Sequence, residues 1–255
     1  MIDAHIHLDQ YKDSEIEWMM ASDEEITEFI TVSSNLESCK RNLQLSNKFD
    51  KIRSAFGFHP EQSLPTEQEK NTLIQWMEQH QAEMIAVGEV GLPYYLRQNG
   101  KISKYQYNQY LECLEVFIKL AKSWNKPIVL HAVYEDAPVV CDLLEKNSVS
   151  KAHFHWFKGD DKTITRMAEN GYFISVTPEI VYKKKIQQLI KNYPLEQIMV
   201  ETDGPWEFKG PFKGKMTHPH MMSHSIAEIS KIKGLSIIDT AEEIHTNTKN
   251  FYKLN

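Results

Sequence analysis

Residues 2–8 read Ile-Asp-Ala-His-Ile-His-Leu, and Asp9 follows. The alternation has period two, the mark of a strand whose successive side chains point to opposite faces. Ile2, Ala4, Ile6 and Leu8 make one apolar face, and Asp3, His5, His7 and Asp9 make the other. A strand in a parallel sheet is buried on both faces and should be apolar on both. A polar group turned inward without a partner costs roughly 2–7 kcal/mol. A metal ion removes the conflict, because it is a partner that two imidazoles can share.

Outward from this stretch, seven further short runs rich in Val, Ile and Phe occupy 28–34, 53–60, 83–92, 127–132, 151–157, 171–177 and 197–203. Segments of helical period lie between them at 37–48, 66–81, 105–124, 136–147, 160–170 and 179–191, and 218–252 reads as two more helices. Eight strand–helix units in 255 residues predict an α/β fold, a single (β/α)8 TIM barrel over 1–255 with its active site at the C-terminal ends of the strands. No Pro/Gly/Ser linker or shift in composition divides the chain.

Composition narrows the class. At 41% hydrophobic and 25% charged residues the chain is neither disordered nor of low complexity. Three cysteines with no CxxC pair support neither a zinc ribbon nor a disulfide framework. The opening residues show no secretory signal and no run of about 18 apolar residues occurs, so the expectation is a cytoplasmic protein with no membrane and no obligate protein partner. Lys plus Arg number 29 against 35 Asp plus Glu, and 29 − 35 gives a net charge of −6. That balance excludes a protein that coats duplex nucleic acid by charge alone.

The remaining strands carry the chemistry. Glu89, His131, His155 and Asp203 each follow an apolar run, at the strand end where barrel enzymes place their active residues. With His5 and His7 they form a set of four imidazoles and two carboxylates. Such a set suits two divalent ions such as Zn2+, Mn2+, Ni2+ or Co2+, with Mg2+ also possible. Two ions would activate a water and offset transition-state charge on DNA or another phosphodiester substrate. Asp203 is placed to act as general base.

These residues also carry a resemblance. HIHLD at 5–9, GFHPE at 57–61, GEVGL at 88–92, VLH at 129–131, HWFKG at 155–159 and ETDGP at 201–205 resemble, in order, the motifs of the TatD family of metal-dependent hydrolases, best known as deoxyribonucleases. The resemblance runs from residue 1 to about 250. It implies that His5, His7, Glu89 and Asp203 hold one ion, and that Glu89, His131 and His155 hold a second, with Glu89 bridging. Two positions depart from the pattern: Pro93 replaces an Asp after GxGL, and Val133 replaces an Arg two residues past His131.

Further residues are candidates for substrate contact. His59 ends strand 3 and either meets a phosphate or is fixed structurally by Pro60. Tyr94, Tyr95 and Arg97 follow strand 4. Lys183, Lys184 and Lys185 follow strand 7, and Lys209, Lys213 and Lys215 follow strand 8, where barrels often bind phosphate. Trp156, Phe157, Trp206, Phe208 and Phe212 either stack on unpaired bases or pack as a lid. By parity His153 shares a face with His155, and Glu201 with Asp203. His218, His220 and His224 read as rim or surface residues, and His80 and His245 as solvated.

The function expected is a binuclear metal-dependent deoxyribonuclease acting on single strands or DNA ends. The alternatives are an amide or ester hydrolase (a deacetylase, lactonase or D-aminoacyl-tRNA deacylase) and a binding protein with reduced catalysis. Amidohydrolases often bridge their metals through a carboxylated lysine, but Lys126 lies at the wrong end of strand 5 and Glu89 holds that place. The acidic total includes Glu89 and Asp203, with Asp3, Asp9 and Glu201 expected to face the same centre. What the charge excludes is metal-free coating of long duplex, not engagement of one strand end.

Overall fold

The computed structural model describes residues 1–22 and 25–254. Eight strands form one parallel sheet in chain order: β1 (Ile2–Ile6), β2 (Glu28–Thr31), β3 (Ile52–Phe56), β4 (Met84–Gly91), β5 (Ile128–His131), β6 (Ala152–Phe154), β7 (Phe173–Val176) and β8 (Ile198–Val200). Neighbouring pairs from β1·β2 to β7·β8 are all parallel. The outer layer comprises α1 (Asp13–Ser22), α2 (Leu36–Lys48), α3 (Glu67–Gln79), α4 (Tyr94–Gln98), α5 (Lys104–Ser123), α6 (Asp136–Lys146), α7 (Asp161–Glu169), α8 (Lys184–Asn192), α9 (Met222–Lys233) and α10 (Ile237–Tyr252). This is the (β/α)8 barrel that the strand–helix alternation predicts. Among the described residues no helix is long and apolar enough to cross a membrane.

Local sequence explains most helix starts. Thr66 with Glu69, and Ser103 with Gln106, form capping boxes at α3 and α5, while Asn35, Asp160 and Ser236 cap α2, α7 and α10. Each such side chain satisfies an amide that the first helical turn leaves without a partner. The expected segment 179–191 is split. Pro178–Val181 forms one tight 3-10 turn, Lys183 takes an extended backbone, and α8 begins at Lys184. The helices α1 and α4 lie outside the segments expected from periodicity, because DSEIEWMMAS has no continuous apolar stripe and YYLRQ spans little more than one turn.

The barrel encloses two kinds of core. Ile2, Ala4, Ile30, Val32, Ala55, Ala86, Val129 and Met199 meet inside the barrel, where Phe251 and Tyr252 at the end of α10 pack against them. Ile6 and Leu8 belong instead to the outer layer with Phe29, Phe56, Val87 and helix residues such as Phe117 and Leu144. Strict alternation along 2–9 therefore fails, since Ile2 and Ala4 face inward while Ile6 and Leu8 face outward. The cause is a register shift in the β1·β2 ladder between Asp3 and Ile6. A similar shift interrupts β4·β5 between Val87 and Val90. Such irregularities re-aim one side chain at the expense of a ladder bond, and these two bring His5 and Glu89 to the same centre.

The ring is closed between β1 and the segment after β8. The Asp203 amide donates to the His5 carbonyl at 2.9 Å, and the His7 amide donates to the Gly204 carbonyl at 2.8 Å. Asp3 accepts from the Thr202 amide at 3.0 Å and from its hydroxyl at 2.6 Å. Asp3 is therefore a strut of the closure rather than a residue of the centre, contrary to its expected place beside His5 and His7. The expected strand 197–203 ends at Val200, because Glu201 to Asp203 leave the sheet to reach β1 and Asp203 takes a left-handed backbone with φ of 51°.

Candidate active site

The six predicted ligands meet at the C-terminal mouth of the barrel. Their close spacing depends on small residues. A Cβ at Gly91 would lie 2.0 Å from the His131 carbonyl oxygen, and one at Gly57 would lie 2.7 Å from the Glu89 carbonyl oxygen. Only glycine lets β3, β4 and β5 approach closely enough to place Glu89 and His131 side by side. Non-glycine residues with positive φ gather at the same end: Tyr134 after β5, Trp156 after β6 and Asp203 after β8. Backbone strain of this kind concentrates at functional sites.

Glu89 is fully buried and divides its two oxygens between two groups. Oε2 lies 3.2 Å from His5 Nε2 and 3.3 Å from His7 Nε2. Asp203 Oδ1 completes that group at 3.3 Å from His5 Nε2 and 3.4 Å from His7 Nε2. Oε1 lies 2.8 Å from His131 Nδ1 and 2.7 Å from His155 Nε2, which are themselves 3.1 Å apart.

A divalent cation fits the first group. His5 Nε2 and Glu89 Oε2 are buried with no hydrogen-bond partner despite their closeness. A tetrahedral ion with ligands at about 2.0–2.2 Å needs donor atoms roughly 3.3–3.6 Å apart, and the group is spaced accordingly. Imidazoles and carboxylates are also the donor types that borderline divalent ions prefer.

His59 stands near Oε1, its Nε2 at 3.4 Å. Its Nδ1 accepts from the Glu61 amide at 3.1 Å. In the neutral ring that bond leaves the proton on Nε2. His59 thus offers a hydrogen bond into the site rather than a lone pair, and it is held by more than Pro60. His153 is not at the centre: it bridges the Tyr252 hydroxyl at 2.7 Å and the Ser175 hydroxyl at 2.6 Å inside the barrel. Glu201 accepts from the Trp156 amide at 2.7 Å and from the Ser175 hydroxyl, with Oε1 3.9 Å from His155 Nδ1. Asp9 is half-buried in a short turn that follows β1.

A cavity of about 810 Å³ opens onto this centre. Among the substrate candidates, His59, Tyr95, Lys183, Trp206 and Lys209 line it, while Tyr94 and Lys213 do not. Consecutive helical residues point about 100° apart, so α4 turns Tyr95 to the cavity and stacks Tyr94 against Tyr134 at 4.9 Å. Lys213 is exposed beyond the turn Gly210–Phe212. Phe157, Phe208 and Phe212 are buried packing residues, so of those five aromatics only Trp156 and Trp206 reach the wall, with rings 5.5 Å apart, beside Tyr95 and Tyr182. Arg97 pairs with Asp136 at 2.9 Å, and Lys184, Lys185 and Lys215 lie off the wall. Of the remaining histidines, His218 packs on Trp18, His224 on Phe212 and His80 beside Glu83.

Sequence reasoning singled out none of the wall residues Gln10, Glu61, Lys158, Glu179, Tyr182, Pro205 and Glu207, of which Glu61, Lys158 and Glu179 make contacts of consequence. Glu61 accepts from the Tyr95 and Leu96 amides at 2.7 and 2.8 Å and lies 3.5 Å from His131 Nε2. It caps the α4 turn for which Pro93 supplies no side chain. Glu61 and Lys158 stand within the quoted motifs GFHPE and HWFKG, so the signal was present but read only for histidine and aromatic residues.

Electrostatics of the metal-free centre set a pH signature. Burial opposes charge on His7 and His131, but the carboxylates of Asp203 and Glu89, and of Glu61 and Glu89, outweigh it and raise both to about 9. Burial holds His155 down to about 4. Burial also tends to raise Glu89, but the surrounding imidazoles keep it well below the usual carboxylate range. A raised imidazole stabilises the fold fully below its unfolded pKa, about 6.5, and that stability disappears as pH rises through the folded value. The melting temperature of EDTA-stripped protein should therefore fall between pH 6.5 and 9. Metal-loaded protein should fall much less, because ligating imidazoles are neutral throughout. Scanning calorimetry of both forms checks this, and parallel curves would contradict it.

Comparison with known proteins identifies the family and the fold. The profile of the family TatD related DNase matches residues 2–253. A Haemophilus influenzae protein named an uncharacterized metal-dependent hydrolase is 37% identical over 256 residues, covering 100% of both chains. Human deoxyribonuclease TATDN3 is 28% identical over 265 residues, covering 100% of this chain and 94% of that one. The solved structure of YjjV, a TatD homologue from Escherichia coli, shares the fold with a TM-score of 0.88 at 23% identity, covering 100% of this chain and 98% of that one.

Proposed function

Because the chain belongs to the TatD related DNase family and is a metal-dependent hydrolase, we propose that it cleaves phosphodiester bonds of DNA, in single strands or at strand ends, with two divalent cations. The observation that carries the reading is the division of Glu89, Oε2 toward His5 and His7 and Oε1 toward His131 and His155. One carboxylate addressing two donor groups is what a bridged pair of ions requires. His5, His7, Glu89 and Asp203 would hold one ion and Glu89, His131 and His155 the other. Bound there, divalent cations supply Lewis acidity that favours ionisation of water at neutral pH and offsets charge on phosphate oxygens.

The chain's own residues supply the rest. Hydrogen bonds from His5 and His7, with charge from His155 and His5, keep the Asp203 carboxyl below its usual range despite burial, so it is ionised at neutral pH. Asp203 directs Oδ1 at the two imidazoles and also lines the cavity. Its other oxygen is free to take the proton of the attacking water. The Nε2–H of His59 can donate to a substrate oxygen beside Glu89. Trp206 is exposed on the wall and offers a ring on which an unpaired base can stack, a contact worth roughly 1–3 kcal/mol per base. The aromatic wall favours a nucleic acid over a small amide or ester. Val133 gives the wall an apolar patch where the family resemblance implies an arginine.

With Mn2+ or Mg2+ the protein should degrade a single-stranded oligonucleotide, and EDTA should stop it. No cleavage with Mn2+, Mg2+, Zn2+, Ni2+ or Co2+, alongside turnover of esters or amides on the same preparation, would transfer the site to the alternative chemistry.

A further inference from the structure

We infer that Lys158 is the residue that binds a phosphate group of the substrate, and that Glu179 and Trp156 hold its ammonium ready in the free enzyme. This deepens the reading of the site given above and rests on it for the identity of the substrate, though not for the recognition of phosphate.

Three cations stand on the cavity wall: Lys158, Lys183 and Lys209. Lys183 and Lys209 are exposed, and their charge is screened by water. Lys158 differs, because its side chain is 20% exposed and its ammonium is fixed in place. Nζ sits 4.0 Å from the centroid of the Trp156 ring. It also stands 3.6 Å from Glu179 Oε2, longer than the roughly 2.7–2.9 Å of a charge-assisted hydrogen bond. Glu179 is committed elsewhere, since the same oxygen accepts from the Trp156 indole at 3.0 Å. The ammonium thus keeps donors for a second anion.

The backbone confirms that the position is built. The Lys158 carbonyl accepts from the Tyr134 amide at 2.6 Å, which ties the loop after β6 to the loop after β5. A Cβ at Gly159 would lie 2.5 Å from the Phe157 ring, so glycine is needed to turn the chain behind Lys158. Burial lowers the Lys158 pKa and Glu179 only partly restores it, so a further anion stabilises the charged form. A pre-ordered cation also loses little side-chain freedom on binding.

The test is a calorimetric titration of inorganic phosphate into metal-loaded wild type, Lys158→Met, Lys158→Arg and Glu179→Gln. It is paired with kinetics on an oligothymidylate at several salt concentrations. Lys158→Met should bind phosphate about tenfold more weakly, with Lys158→Arg restoring most of the loss, and Glu179→Gln should bind at least as tightly as wild type. With the oligonucleotide, Lys158→Met should raise KM more than it lowers kcat. It should also flatten the dependence of log(1/KM) on log salt by about 0.7, the loss of one phosphate contact on a single strand. Equal phosphate affinity in wild type and Lys158→Met overturns the inference even if DNA is cleaved. Tenfold weaker phosphate binding with no DNA cleavage by any variant supports it and overturns the substrate reading alone. Glu179→Gln and Lys158→Arg keep the test open if the methionine variant does not fold.

Discussion

Glu89→Ala should abolish turnover, with kcat at least about a thousandfold below wild type, and should reduce bound metal at both donor groups. The expectation follows from position, because Glu89 lies within 3.4 Å of five imidazoles, those of His5, His7, His59, His131 and His155. A terminal ligand serves one ion, whereas Glu89 separates its oxygens between two sets. Removing it also leaves buried cationic imidazoles without their main counter-charge. Loss of one partner from a buried ionic group costs about 3–5 kcal/mol. Metal-stripped Glu89→Ala should therefore melt below stripped wild type by several degrees. Glu89→Gln keeps the volume and one carbonyl oxygen, so it should lose activity while losing less stability. A folded alanine variant with activity within tenfold of wild type would remove Glu89 from its central role.

Asp203→Asn should lower kcat by about 10²–10⁴ with little change in KM, the range for loss of a positioned base. Asparagine preserves the shape of the side chain, and the bond from the Asp203 amide to the His5 carbonyl is main chain and survives. The barrel closure should therefore stay intact, and melting temperature separates a chemical effect from a structural one. An increase in KM with unchanged kcat would assign Asp203 to substrate binding instead. Glu89 is the larger effect of the two because it touches both donor groups, while Asp203 touches one.

The strand–helix period and the rim donors were legible in the sequence. Glu89, His131, His155 and Asp203 each come at or near the end of an apolar run, and parallel β/α topology places all such ends at one mouth. Side-chain parity was less reliable. A register shift within β1 turns Ile2 and Ala4 inward ahead of His5, and only the ladder with β2 reveals it. The same limit applies to Asp3, whose partner Thr202 lies 199 residues away in sequence. His153 shares the parity of His155, but Tyr252 at the end of α10 claims it. Such long-range satisfaction of polar groups is not encoded in local spacing. Glu61, Lys158 and Glu179 were missed for a related reason. Each lies in a loop or turn beyond a strand end and meets partners from other parts of the chain, whereas the histidines announced themselves by residue type.

The barrel mouth also settles what the acidic net charge means. Glu89 and Asp203 are committed to the donor groups, and Asp3 and Glu201 are buried and bonded to the chain itself. Of these, only Asp203 reaches the cavity wall. Lys158, Lys183 and Lys209 sit on the cavity wall, though Glu61, Glu179 and Glu207 share it. On the proposed reading, this mixed wall would engage one strand end rather than the length of a duplex.

The central claim is that Glu89 joins two cation sites. Native mass spectrometry of EDTA-stripped protein titrated with Mn2+ or Zn2+ tests it most directly, with Glu89→Ala run in parallel. Wild type should take up two ions per chain, and folded Glu89→Ala should retain fewer at the same free metal concentration. Wild type that binds no ion, or a folded Glu89→Ala that still binds two as tightly, would contradict it.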